Sequence, residues 1–327
     1  MREAEEVAAH FLAAKSYTII AHLQPDGDAV GSVAALASAL REQGKKAYPV
    51  LVDEIPEPFQ HLAKPPFLIE LPPPEEVDLC VVMDTPDSLR TGQPELLRAY
   101  AEAGKLILID HHPRGELYRL SFSHLHNLEA ASCAELVYSL LKALSWKVSP
   151  TTATALLTGM YTDTGGFRQT NTTSDCLTAA ADMLRFGAKL QKIVSELHRQ
   201  QTVAHLRLAG IALERVSTHF AGAITTSHLT QADFEATGAS SEDTSGIINE
   251  LNVLPESQFA MLLAEEHAGI IRGTLRTGEN QRTAVHRLAR LLGGGGHPRA
   301  AGFNIPGKLV QTKNGALRVI EVPSTTR

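Results

Sequence analysis

One imidazole and two carboxylates fall within seven residues near the start of this 327-residue chain. They are His22, Asp26 and Asp28, in the stretch His-Leu-Gln-Pro-Asp-Gly-Asp. Two acids separated by one residue repel each other unless a cation lies between them, so this stretch could hold a divalent metal ion. A Pro-Asp-Gly-Asp run is also good turn chemistry, and an acid there could instead cap a following helix.

The sequence on either side of this stretch predicts the elements that would position it. Residues 17–21 form a short β-branched run typical of a buried strand, and residues 30–40 are typical of a helix. Because Pro25 and Gly27 disfavour helix, we expect the imidazole and both carboxylates on a strand-to-helix loop. In an open α/β sheet, that loop lies at the carboxyl edge, where ligands bind.

Two further apolar runs end in residues of the same kinds. Residues 79–83 predict a central buried strand ending at Asp84, and residues 105–109 predict another ending at Asp110-His111-His112. One Asp after a strand is common as a helix cap. Three such strand ends on one sheet edge would crowd carboxylates that need compensating positive charge.

A fourth acid ends a helix. Residues 151–161 predict a helix that leads to Asp163, and the two glycines that follow allow the backbone to approach a ligand closely. The candidate metal ligands are then four carboxylates and two imidazoles, with no thiolate: His22, Asp26, Asp28, Asp84, His111 and Asp163. This oxygen-rich set suits Mn²⁺, Mg²⁺ or Co²⁺. Six side chains suit two ions roughly 3.5–4 Å apart that share one carboxylate, an arrangement that activates water and clamps the oxygens of a displacement at phosphorus.

The remainder of the chain predicts a second, smaller domain. Strands are expected over 222–227, 259–265 and 269–275, and a helix over 283–292, which favours an α+β domain with a mixed sheet. We expect the first domain to be α/β with a doubly wound, mainly parallel sheet. The predicted division is a metal-binding domain over 1–188, a helical linker over 189–215, a substrate-binding domain over 216–312 and a tail over 313–327.

The second domain carries candidate phosphate contacts. Four consecutive glycines, Gly293 to Gly296, could offer backbone N–H groups to an anion, although they could also simply end a helix. His297 and Arg276 could grip a phosphate, and Arg272 lies on the same predicted strand face. Arg168, which follows Gly-Gly-Phe, is a further candidate, although an ordinary surface arginine would look the same. The predicted substrate contacts are His112, Arg168, Arg276, Gly295, Gly296 and His297.

Composition limits the classes of function. The formal net charge is −6 with scattered Lys and Arg, which argues against a protein that grips long nucleic acid through many phosphates. Three widely separated cysteines without a CxxC pair suit packing roles in a reducing compartment. No apolar run approaches the length of a membrane span, and the first residues do not resemble a signal peptide. We therefore expect a cytoplasmic protein that does not bind membranes; the sequence leaves open whether it forms a homodimer.

These motifs together resemble the DHH phosphoesterase superfamily. The series is His-x-x-Pro-Asp-Gly-Asp-Ala from His22, Asp84 after a strand, Asp110-His111-His112, and Asp163. The stretch Gly-Gly-Gly-His-Pro-x-Ala-Ala-Gly, which ends at Gly302, resembles the glycine motif of the accompanying DHHA1 domain. The resemblance spans roughly residues 8–305 in the expected order. The two-domain form is similar to the NrnA-like (nanoRNase/pAp phosphatase) group.

The resemblance implies a role for each matched residue. It implies one metal on His22, Asp26 and Asp84, and a second on Asp28, Asp84, His111 and Asp163, with Asp84 as the bridge. His112 would face the substrate phosphate as a donor or an acid. Asp110 would orient a histidine ring, with a cap or turn role left open. Arg276 is preferred over Arg272 because the family has its arginine in a strand-end Leu-Arg-Ser/Thr setting.

The implied activity is two-metal hydrolysis, most simply with Mn²⁺, of short oligonucleotides to mononucleotides or of 3'-phosphoadenosine 5'-phosphate (pAp) to AMP. Alternatives in the same superfamily are hydrolysis of cyclic dinucleotides or their linear products, and a RecJ-like single-strand exonuclease. A non-catalytic nucleotide sensor would keep the fold but lose metal ligands, and all six candidates are present.

Overall fold

The computed structural model describes residues 2–62, 67–198, 202–267, 269–278, 283–311 and 317–320. It divides into two compact units, Met1–Arg199 and Gln200–Arg327. None of the helices in the described part of the chain combines the length and apolar character needed to cross a membrane.

The first unit is an α/β domain built on a five-stranded sheet. Its strands are β1 (Ser16–Ile20), β2 (Lys46–Val50), β3 (Leu79–Met83), β4 (Leu106–Asp110) and β5 (Ser123–His126). Its helices are α1 (Arg2–Ala13), α2 (Gly27–Glu42), α3 (Pro94–Glu102), α4 (Glu116–Leu120), α5 (Cys133–Ala143), α6 (Pro150–Asp163), α7 (Ser174–Arg185) and α8 (Leu190–His198).

All neighbouring strands in this sheet are parallel, in the order β2-β1-β3-β4-β5. Strand β3 is therefore central. Its side chains alternate between two buried clusters: Val81 and Met83 pack in the larger one with α2, α5 and α6, whereas Cys80 and Val82 pack in the other with α3 and α4. Burial on both faces explains why this strand is a continuous apolar run. The predicted doubly wound, parallel sheet is confirmed.

The second unit contains a six-stranded mixed sheet. Its strands are β6 (Ser217–His219), β7 (Ile224–Leu229), β8 (Phe259–His267), β9 (Ile270–Arg276), β10 (Gly295–His297) and β11 (Ala300–Pro306). Strand β12 (Lys308–Gln311) pairs separately with β13 (Leu317–Ile320). The helices of the second unit are α9 (Val203–Glu214), α10 (Gln231–Thr237), α11 (Ile247–Leu251) and α12 (Val285–Leu291).

The order of the larger sheet is β10-β11-β9-β8-β7-β6, in which only the β7–β8 pair is parallel. The predicted mixed α+β fold is confirmed. Two details differ from the sequence expectation: helices α8 and α9 lie in different units, whereas one linker helix was expected over 189–215, and β13 falls within the expected tail over 313–327.

Candidate metal centre

The carboxyl ends of three adjacent parallel strands bring the first candidate ligands together. Asp84 directly follows central strand β3, His22 lies two residues beyond β1, and Asp110 is the last residue of β4. The sheet order puts β1 and β4 on either side of β3. The three strand ends thus meet at one edge of the sheet, as the sequence predicted.

The Asp84 carboxylate lies between two imidazoles. Its Oδ2 is 3.6 Å from His22 Nε2, and its Oδ1 is 3.5 Å from His111 Nε2. The same His111 nitrogen is 3.5 Å from Asp163 Oδ2 at the end of α6, and His22 Nε2 is 3.9 Å from Asp26 Oδ1. One carboxylate therefore faces two separate sets of ligand atoms, which is the arrangement of a bridging ligand.

Potential ligand atoms cluster into overlapping groups among the described residues. Within each group, one donor atom from each side chain lies within 4.8 Å of the others. The groups are His22, Asp26 and Asp84; Asp28, His111 and Asp163; and Asp84, His111 and His112. The structure thus brings together all six side chains that the sequence proposed as ligands.

Backbone carbonyls fix the orientation of both imidazoles. Nδ1 of His22 donates to the carbonyl of Leu23 at 2.7 Å, and Nδ1 of His111 donates to that of Ala130 at 3.2 Å. Because a carbonyl oxygen only accepts, Nδ1 carries the proton in each ring. Each Nε2, facing Asp84, is then the nitrogen whose lone pair can bind a metal.

Asp28 occupies the first turn of α2, not the preceding loop as the sequence analysis expected. Its side chain is buried and accepts hydrogen bonds at the start of α5. Oδ2 accepts from the Cys133 N–H at 2.6 Å, and Oδ1 from the Ala134 N–H at 3.0 Å and the Ser32 hydroxyl at 3.2 Å. The expectation failed because Asp26, and not Asp28, terminates the loop.

Asp26 caps helix α2 and also lies among the candidate ligand atoms, so both alternatives that the sequence offered remain open to it. Its Oδ1 caps α2 by accepting from the N–H groups of Asp28 and Ala29, each at 3.0 Å. Its side chain is 61% exposed, and it still lies within the group formed with His22 and Asp84. A helix cap and a metal ligand are therefore compatible at this position.

The electrostatics of the cluster call for added positive charge. Burial raises the pKa of Asp28 well above its usual value, and the carboxylates of Asp84 and Asp163 raise it further. Burial also raises the pKa of Asp163. Burial would likewise raise the pKa of Asp84, but the neighbouring rings of His111 and His22 outweigh it and lower that pKa. Conversely, the surrounding carboxylates overcome the effect of burial and raise the pKa of His111.

Asp84 also carries an orphaned atom. Its Oδ1 is buried and accepts no hydrogen bond from the residues that the structure describes. Its backbone adopts a positive φ of 59°, which is uncommon for a residue with a side chain and concentrates at functional sites. A buried carboxylate oxygen without a donor, facing imidazole nitrogens, fits a divalent cation.

Asp110 contacts the next histidine. Its Oδ1 accepts from the ring Nδ1 of His112 at 2.9 Å and from the His112 backbone N–H at 3.2 Å. Asp110 is buried, whereas 37% of the His112 side chain is exposed. The contact that the resemblance implied for Asp110 is present, and it leaves Nε2 of His112 as the nitrogen available to a substrate.

Sequence reasoning missed several residues that shape this site. Gly159 of α6 passes so close to α2 that a Cβ there would lie 2.4 Å from Asp28 Oδ1. Asn171 donates its Nδ2 to the carbonyls of Ala131 and Asp163, at 3.1 Å each. His126, which the sequence analysis did not select, donates to the His112 carbonyl at 2.7 Å. The one sequence signal for these contacts is the small-residue composition of α2, which allows α6 to approach it closely at Gly159.

Arg168 lies on the loop after α6, outside the groups of ligand atoms described above. Its guanidinium Nε donates to the Gly165 carbonyl at 2.9 Å, and the residue is exposed. Phe167 before it has a positive φ of 63°. A phosphate contact for Arg168 stays a prediction.

In the second unit, the two candidate arginines have different partners. Arg276 lies at the end of β9, where its Nε donates to Asn249 Oδ1 at 3.3 Å. Arg272 is paired with Glu266 at 3.4 Å. Both lie on one face of the strand, as expected from their spacing. Of the two, Arg276 is the one without a carboxylate partner among the described residues.

The four consecutive glycines divide between the end of helix α12 and strand β10. Gly293 and Gly294 donate their N–H groups to the Arg290 and Ala289 carbonyls, at 3.1 and 2.8 Å, and so end α12. Gly295 and Gly296 belong to β10 and lie opposite Gly302 and Ala301 of β11. Gly293 and Gly294 thus follow the helix-end alternative, whereas the anion contacts expected of Gly295 and Gly296 stay a prediction. His297 ends β10, but its side chain lies outside what the structure describes.

The chain matches two domain families and is similar to named relatives. Residues 16–160 match the DHH family, N-terminal domain, and residues 226–321 match the DHHA1 domain. A protein of Thermus thermophilus named bifunctional oligoribonuclease and PAP phosphatase NrnA is 33% identical over 299 residues, which cover 88% of this chain and 84% of the relative. A Bacillus subtilis protein of the same name is 28% identical over 301 residues, covering 87% of each.

A solved structure shares the fold. The crystal structure of an exopolyphosphatase-related protein from Bacteroides fragilis aligns with a TM-score of 0.76 and 24% identity, covering 92% of this chain and 90% of that one. The domain matches, the identity to the Thermus relative and the converging acids and imidazoles lead to one conclusion: the chain belongs to the DHH/DHHA1 phosphoesterase superfamily, in its NrnA-like group.

Proposed function

We propose that this protein is a metal-dependent phosphoesterase that hydrolyses short oligonucleotides and pAp. The observation that carries the proposal is the position of Asp84, a buried carboxylate with an orphaned oxygen between Nε2 of His22 and Nε2 of His111. The substrate class comes from the relatives, which are named oligoribonucleases and PAP phosphatases.

The donor set supports two divalent ions. His22, Asp26 and Asp84 would hold one, and Asp28, Asp84, His111 and Asp163 the other. Carboxylate oxygens and imidazole nitrogens without thiolate favour Mn²⁺, with Mg²⁺ or Co²⁺ as substitutes. When bound, such ions supply Lewis-acid polarisation of the phosphoryl group and a water nucleophile that is active near neutral pH.

The chain's own residues would orient the reacting phosphate. Asp110 holds the ring of His112 by accepting a hydrogen bond from Nδ1. Nε2 of His112 would then donate a hydrogen bond to the substrate phosphate or a proton to the leaving group. Arg276 would bind a second phosphate or the adjoining nucleotide. Its planar guanidinium can donate two parallel hydrogen bonds to the oxygens of one phosphate. For Arg168, Gly295, Gly296 and His297 we retain the role of substrate contacts as part of the same proposal.

The cytoplasm is the compartment that we propose, and the state of the thiols supports it. Cys80, Cys133 and Cys176 are all buried and free. Free thiols persist where disulfides are reduced, which supports the cytoplasm as the site of action.

A substrate panel tests the proposal. The purified protein with Mn²⁺ would be incubated with pAp, RNA and DNA of two to five nucleotides, the dinucleotide pApA, cyclic di-AMP and a long single strand, with analysis of the products. We expect AMP and phosphate from pAp and mononucleotides from the short oligomers. Preferred hydrolysis of cyclic di-AMP or pApA, or processive degradation of the long strand, would replace the proposed substrate class. The absence of hydrolysis of every substrate would favour a nucleotide sensor.

A further inference from the structure

The backbone of His112 is held by a residue outside the sequence motif. The Nε2 of His126 lies 2.7 Å from the carbonyl oxygen of His112. Because this oxygen can only accept, His126 donates through a protonated Nε2. Three hydrogen bonds thus hold His112: its backbone N–H and its ring Nδ1 donate to Asp110, and its carbonyl accepts from His126.

The His126 ring is itself fixed before any substrate arrives. His126 ends β5, in register with Asp110 across the β4–β5 ladder, and only 8% of it is exposed. Its backbone N–H donates to Glu3 of α1 at 3.1 Å. Its ring meets Tyr118 edge-on, with the ring centroids 5.3 Å apart. Because the His126 ring is already immobilised, little conformational entropy is lost in holding the His112 carbonyl when a substrate binds.

We propose that His126 is a positioning residue for His112. By fixing the His112 carbonyl, it sets the direction in which the exposed part of the ring points, and so the approach of Nε2 to a substrate phosphate. The proposal rests on the proposed function, since it assigns to His126 a part in the reaction that His112 serves. Misplacement of a catalytic group by about 1 Å can lower a rate by as much as a hundredfold.

Two variants of equal length separate hydrogen bonding from packing. His126→Gln places an amide donor where Nε2 lies, whereas His126→Met has similar length and no donor. His124→Met is a matched control, because His124 lies two residues earlier on the same strand and its ring also contacts Tyr118, with the centroids 4.0 Å apart. The measurements are kcat and KM for pAp with Mn²⁺, Mn²⁺ affinity by calorimetry, and the thermal unfolding temperature.

We expect kcat to fall about tenfold in His126→Met, which corresponds to the loss of about one hydrogen bond, and to stay within about twofold of wild type in His126→Gln and His124→Met. Mn²⁺ affinity should stay unchanged in all three. Equal kcat in the Met and Gln variants, or a fall in Mn²⁺ affinity that matches the fall in kcat, would overturn the proposal. If His126→Met does not fold, His126→Asn replaces it, because its shorter amide cannot reach the carbonyl. Failure of the proposed function would look different, since the wild-type protein would then hydrolyse no pAp.

Discussion

The substitution Gly159→Ala should damage the metal centre through packing alone. A Cβ at position 159 would lie 2.4 Å from Asp28 Oδ1 and 2.7 Å from the Ala134 Cβ. The Asp28 carboxylate cannot simply rotate away, since it accepts from the Cys133 and Ala134 N–H groups and from the Ser32 hydroxyl. We expect the α2–α6 contact to open and Asp28 to lose at least one of its hydrogen bonds.

The magnitude can be worked from these contacts. Overpacking of a core costs about 1–3 kcal/mol, and a broken hydrogen bond to a buried acid costs about 1–3 kcal/mol more. Replacing Gly by Ala inside a helix returns about 1 kcal/mol. The net loss in the free energy of unfolding should be about 1–5 kcal/mol, and each kcal/mol lowers Tm by roughly 2–4 °C for a unit of this size.

Thermal unfolding and Mn²⁺ calorimetry would measure both consequences. We expect a lower Tm for the first unit and a Mn²⁺ affinity reduced about tenfold or more, because a displaced ligand weakens the site. Gly210→Ala is the control: Gly210 lies in helix α9, and a Cβ there would meet none of the described residues within 4 Å, so this change should be neutral or slightly stabilising. If Gly159→Ala unfolded at the wild-type temperature and bound Mn²⁺ with wild-type affinity, the close packing described here would be refuted.

Other predictions follow from the same geometry. Asp84→Asn keeps the size of the side chain but removes the bridging charge, so binding of both ions should be lost and turnover should fall by several orders of magnitude; near-normal activity would contradict the bridge. Arg276→Ala should raise KM for pAp about tenfold, a loss of about 1.4 kcal/mol, without changing the metal content measured by elemental analysis. Arg272→Ala, which removes an arginine already paired with Glu266, should change KM less, and the reverse order would refute the choice between the two. Chelation with EDTA should abolish hydrolysis and added Mn²⁺ should restore it, whereas full activity after chelation would exclude a metal-dependent reaction.

The sequence predicted the sheet of the first unit because its strands are buried on both faces. The runs that became β3 and β4 are continuous in apolar residues, and a parallel order puts their carboxyl ends together. Helix α3 spans Pro94–Glu102 and begins at a proline, whose fixed φ suits the first helical position. Strand β5, with its alternating Ser-His-Leu-His sequence, lacks such a run and was not predicted.

The contacts that position the site could not be read from spacing. The hydrogen bond from the Cys133 N–H to Asp28 joins residues 105 positions apart. The approach of Gly159 to α2 and the hydrogen bond from His126 to His112 depend in the same way on how distant elements pack. In the second unit, α10, α11 and β10 were missed because they are short, with no more than seven residues each.

The most direct test of the account is to count and characterise the bound metal. Calorimetry and elemental analysis should find two Mn²⁺ per chain, and electron paramagnetic resonance should show that the two ions are magnetically coupled, as expected for ions about 3.5–4 Å apart that share a carboxylate. One ion per chain, or two ions without coupling, would contradict the assignment of Asp84 as the ligand that joins two metals.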